Sequence, residues 1–140
     1  MSFANYNVGE LWKVFMPRPD EIIINLTGDL ISIVIYKPTY FSDFKPTNEF
    51  ERWATVEVED FNNVPTEMEI FVLPSGQYAV FLHNGDTKEF AKTFQLILGT
   101  WLPSSGYILD DRPHFEVLGD KYKNNDPNSE EEIWIPIKTK

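Results

Sequence analysis

Apolar positions recur along this chain with two periods, and the switches between them mark the elements. In DTKEFAKTFQLILGTWL, Phe90, Phe94, Ile97, Leu98 and Trp101 fall at i, i+4, i+7, i+8 and i+11, the single stripe of an amphipathic helix. Asp86, with Glu89 three residues on, reads as its capping box, and Pro103 with the following Ser-Ser-Gly is predicted to stop it. A shorter stripe, Val8, Leu11, Trp12 and Phe15, predicts a first helix with Asn7 and Glu10 at the cap positions and Pro17 at its end.

Elsewhere the period shortens to that of strands. LISIVIYK, Leu30 to Lys37, is β-branched and apolar, and a turn-rich loop separates it from RWATVEVEDF. There Trp53, Thr55, Glu57 and Glu59 alternate with Ala54, Val56 and Val58, the pattern of a half-buried antiparallel strand. MEIFVL and QYAVFLH, parted by Pro74 and Gly76, are predicted to form one long strand with a bend. After the second helix come HFEVLGD and, beyond a polar loop, EIWIPIK. The second half thus reads strand, helix, strand, strand; the first half repeats this but lacks its opening strand. The expected fold is α+β: two βαββ modules, about 1–62 and 63–140, with helices on one face of an antiparallel sheet and a truncated first strand. A cleft between the modules is the expected ligand site.

Composition narrows the chemistry. One domain accounts for 140 residues, and the 11 Phe, 6 Tyr and 4 Trp exceed what a small core needs, so some rings are candidates for a pocket wall. A net charge of −10 repels phosphate backbones, which argues against direct nucleic-acid binding. The absence of cysteine removes disulfides, thiolate nucleophiles and thiolate metal sites. With neither a membrane-length apolar run nor a leader pattern, the expectation is a soluble cytoplasmic protein.

No metal or cofactor is expected. His83 and His114 lack ligand spacing, DKYKNNDPNSEEE lacks the order of a calcium loop and reads as a solvated turn, and no phosphate-cradling or nucleophile-elbow motif occurs. The serines of LPSSGY serve helix termination. What remains is Glu116, flanked by Phe115 and Val117, and the rings. By alternation Glu116 is either the wet side of a strand or a charge kept for binding or chemistry, and each ring is either core or ligand wall.

The strand G-x-Y-A-V-F, the helix end W-L-P-x-S-G-Y, the strand F-E-V and the closing E-I-W-I-P-I, in that order over the C-terminal half, resemble the GyrI-like family, the effector-binding domain also attached to AraC-type activators. MSFANYNVGELWKVFMP and EFERWATVEVEDF resemble the N-terminal half of its free-standing branch. The resemblance implies two pseudo-twofold βαββ modules and a cleft for lipophilic, often cationic, molecules. It places Glu116 as the acidic anchor and Trp134 in the wall, with Tyr78, Trp101 and Tyr107 at further matching positions. Trp12, Trp53 and Tyr36, the rings of the other half, are candidate wall residues from composition. It also leaves open hydrolysis of cyclopropane-bearing alkylating compounds with Glu116 activating water, a gyrase-inhibitor-like role with a protein partner, and a homodimer.

Overall fold

The computed structural model describes residues 1, 10–12, 25–42, 44–45, 47–62, 64–65, 67–123 and 126–140. Of the expected first helix, residues 10–12 are described and are helical; the rest of it and the expected truncated first strand lie outside the described residues. The described elements are β1 (Asn25–Ile35), β2 (Glu51–Val58), β3 (Tyr78–Asn84), α1 (Thr87–Leu96), β4 (Tyr107–Leu109), β5 (His114–Leu118) and β6 (Glu130–Thr139). A π-helical turn, Ile97–Trp101, and a closing α-helical turn, Leu102–Ser104, extend α1.

The strands form one antiparallel sheet in the order β2-β1-β5-β6-β3, with β4 paired to the end of β6. β1 and β5 meet along a seam that aligns Ser32 with Glu116 and Ile33 with Phe115. On either side of the seam each half continues outward, through β2 in one direction and through β6 and β3 in the other. This is the α+β arrangement that the repeated strand-helix-strand-strand order predicts.

α1 covers one face of the second half. Ile97 packs against Ile133, Ile135 and Ile137 of β6, with Phe90, Phe94 and Trp101 beside it, so the predicted stripe is the buried stripe. The Asp86 carboxylate accepts from the amides of Lys88 and Glu89, which satisfies two of the orphan donors at the helix start. The helix ends at Ser104, within the expected Pro103-Ser-Ser-Gly stop and one residue past the proline. A proline inside an α-helix removes one bond and crowds the carbonyl four residues back. The wider π turn immediately before it gives that carbonyl room, and the chain stays helical to Ser104. Ser104 and Ser105 then donate to carbonyls of the last turn, the terminating role expected of them.

The long bent strand expected before the helix is not formed as one piece. Only QYAVFLH supplies a strand, since MEIFVL has no ladder partners and lies over β2, with Phe71 against Trp53 at 4.9 Å between ring centroids. Gly76 divides the two, with φ of 155° and the Arg112 guanidinium packed where a Cβ would stand. β4 is a strand too short for its period to register. The turn-rich loop before β2 carries buried Tyr40 and Phe50, which pack with Val34 as a second core cluster. The polar loop before β6 does act as a turn, with Asp126 accepting from the Asn128 amide and the buried Ser129 hydroxyl accepting from the Lys123 amide.

Candidate functional site

Register decides what each side of β5 faces. Residues paired across antiparallel strands share a face, so Ser32, Val34, His114, Glu116, Leu118, Glu131, Ile133 and Ile135 look toward the α1 side. Ile31, Ile33, Trp53, Phe115, Val117 and Trp134 look the other way. Both faces of β5 are covered, which is why alternation alone could not say whether Glu116 was wet.

On the α1 side Glu116 sits at the seam with 16% of its side chain exposed, and its Oε1 lies 3.9 Å from Nη1 of Arg52. That guanidinium, held over the seam by β2, donates to the Ser32 hydroxyl at 2.7 Å. Burial raises the Glu116 carboxyl above its ordinary value, and Arg52 opposes the rise. Glu131 is pushed up to about 8, first by burial and then by the negative charge of Glu116, again against Arg52. Two carboxyls thus share one guanidinium where water is scarce. Such a site takes up a proton or attracts a further cation.

The neighbours on this face are mostly aromatic. His114 is buried between Tyr36 and Phe41, with ring centroids 4.9 and 5.8 Å away, and Phe94 of α1 approaches at 6.4 Å. Burial lowers the His114 pKa to about 3, so its imidazole is neutral at physiological pH. Tyr36 also packs against Tyr40 and Phe50, and the Arg52 guanidinium lies 5.8 Å from the Phe50 ring.

The opposite face carries the open space. A cavity of about 780 Å³ lies there, floored by Ile31, Ile33, Phe115, Val117 and Trp134, walled by Trp53 and covered by Phe71 and Leu73. Phe115 and Trp134, paired across β5 and β6, stack at 5.0 Å, and Tyr78 meets both edge-on. Arg112 lies 4.6 Å from the Tyr78 ring while donating to the carbonyls of Gln77 and Ile137 and to Asp110, and so ties β3, β6 and the start of β5 together.

The residues named from the sequence are therefore divided. Glu116 and Tyr36 lie on the α1 side. Trp101 and Tyr107 are there too, but within the α1 core, Trp101 edge-on to Phe81 at 5.0 Å. Trp53 and Trp134 line the cavity on the other face, and Tyr78 borders it. Trp12 is half-buried. Sequence reasoning missed Arg52 and Glu131. The only signal for Arg52 was its place one residue before the alternating run, and for Glu131 its place in an acidic run that reads as solvated loop.

Among the described residues, no helix is long and apolar enough to cross a membrane. Comparison with known proteins gives the same architecture. The structure aligns with the solved structure of SAV2435 bound to tetraphenylphosphonium at a TM-score of 0.68, covering 94% of this chain and 76% of that one at 17% identity. The sequence is 30% identical over 131 residues to the transcriptional regulator BrlR of Pseudomonas aeruginosa, covering 93% of this chain and 46% of BrlR. It is also 30% identical over 94 residues to a DNA gyrase inhibitor of Erwinia billingiae, covering 59% of this chain and 58% of that protein. The chain spans about half the length of these curated relatives. The profile of the family described as Cass2, integron-associated effector binding protein, matches residues 2–137. With nearly the whole chain matched and the sheet arranged as the GyrI-like resemblance implied, the protein belongs to this family of effector-binding proteins.

Proposed function

We propose that the protein binds lipophilic cations at the β1–β5 seam, on the α1 side of the sheet, with Glu116 as the acidic anchor. The observation that supports this reading is the pair of carboxyls, Glu116 and Glu131, set around the single guanidinium of Arg52 in a desolvated position. Ionising both leaves a net negative charge with little water to solvate it, and a cation compensates that charge. Tyr36, Phe41 and Phe50 stand near, and each ring in contact adds roughly 0.5–2 kcal/mol of cation–π attraction. The solved structure of SAV2435 bound to tetraphenylphosphonium, itself a lipophilic cation, agrees with this ligand class.

In this reading the chain acts as one effector-binding unit whose two modules meet at the ligand. Recognition depends on charge and flat apolar area, so many shapes are tolerated. Titrating tetraphenylphosphonium and neutral triphenylmethane into wild type and Glu116→Gln tests it. The cation is expected to lose about tenfold or more in affinity, or about 1.4 kcal/mol, and the neutral compound less than about twofold. Equal losses for both would remove the electrostatic role of Glu116.

A further inference from the structure

The cavity on the other face has what a second site requires, and Glu116 plays no part in it. Its volume of about 780 Å³ is that of a small-molecule pocket. Trp53, Phe71, Phe115 and Trp134 present rings to it, and flat aromatic walls favour flat or polyphenyl ligands. Its charge has one sign. Glu57, Asp60 and Glu69 line it while remaining exposed, whereas Arg52, the basic residue on its wall, directs its guanidinium to Ser32 and Glu116 on the α1 side.

We infer that this cavity is a second ligand site, which takes lipophilic cations independently of Glu116. The rim carboxylates attract the charge through solvent while the rings take the apolar body, a division of labour unlike a buried ion pair. The cover suits entry. Residues 69–76 make no strand ladder and are held by the Trp53–Phe71 ring contact, a bond from the Tyr78 hydroxyl to the Pro74 carbonyl, and Arg112 beneath Gly76. An apolar segment held by side chains yields more readily than one held by paired backbone. The two sites lie back to back on β5, with Phe115 and Val117 facing this one and Glu116 between them facing the other.

The test uses the whole chain, with calorimetric titration of tetraphenylphosphonium and of tetraphenylborate, which has the same shape and opposite charge. Wild type is expected to bind about two tetraphenylphosphonium ions per chain, and Glu116→Gln to keep the weaker, salt-sensitive one within about twofold. Glu57→Lys/Glu69→Lys, exposed and away from the core, is expected to weaken that second event about tenfold and to raise affinity for tetraphenylborate. Phe71→Ala is expected to weaken it too. If Glu116→Gln has no effect while the rim reversal removes binding, the seam reading fails and this one stands. If the rim reversal leaves cation binding unchanged, or if Phe71→Ala dissolves a dimer seen by light scattering without altering cation uptake, the cavity is not a cation site.

Discussion

The two faces of the sheet solve different problems with strands that are shared residue by residue. On the α1 side the spaces between strands are filled: Ile133 and Ile135 are 2% and 0% exposed under Ile97, and the polar residues there are buried with partners or at cost. On the cavity side the strands present large apolar groups that the described residues leave partly open. Leu82 is 60% and Val80 46% exposed, and the cover over Trp53 is a segment without ladder bonds. The difference teaches that burial of a strand face and completion of its packing are separate. The α1 side contributes stability and a buried charge cluster; the cavity side contributes room.

Mutation and pH can sharpen or break this contrast. The largest effect is expected from truncating matched apolar residues on the two sides. Ile135→Ala should cost about 2–5 kcal/mol in chemical denaturation, while Leu82→Ala should cost less than about 0.5 kcal/mol; equal costs would show the cavity side to be packed as tightly as the other.

Next comes the carboxyl pair. Because the folded-state pKa of Glu131 is raised from 4.5 to about 8, the folded chain holds a proton that the unfolded chain releases. Stability from this group is therefore full below about pH 4.5 and is lost as pH rises toward 8. Over the same interval cation affinity at the seam should rise, since binding favours the ionised form. In Glu131→Gln both trends should flatten, as followed by denaturation and by dye titration at stepped pH, while uptake at the cavity should not change.

His114 acts with the opposite sign. Its pKa falls from 6.5 to about 3 on folding, so stability should decline as pH drops below about 6.5 and continue to decline to about 3. His114→Leu should remove that share of the acid loss; an unchanged acid limb would mean that the imidazole is solvated. The smallest effect expected is that of the helix cap. Asp86→Ala should cost about 1 kcal/mol, seen as faster amide exchange at Lys88 and Glu89, without altering ligand uptake on either face.

How far the sequence carried depends on the kind of signal. The α1 stripe, the Asp86 cap and strands β1, β2, β5 and β6 were legible because each is a local period or a local hydrogen bond. β4 and the π turn were not, one being too short to show an alternation and the other a response to Pro103 within a helix whose stripe continues to Trp101. MEIFVL has the composition of a strand, yet it caps a cavity, because the neighbour that would have paired with it is set by the sheet order and not by its own residues.

The candidate site was legible only in part, for the same reason. Glu116 could be singled out, and the rings could be named, but their distribution over two faces follows from register. A shift of one residue between β1 and β5 would exchange Glu116 with Phe115 across the sheet. By itself the sequence determined the helical stripe, the strand periods and the acidic balance, since these are properties of residue types at short spacing. The tertiary structure alone decided that Arg52 and Glu131 join Glu116, and that Trp53 and Trp134 line a separate cavity behind it. Contacts between residues tens of positions apart are fixed by strand pairing, which no local pattern encodes.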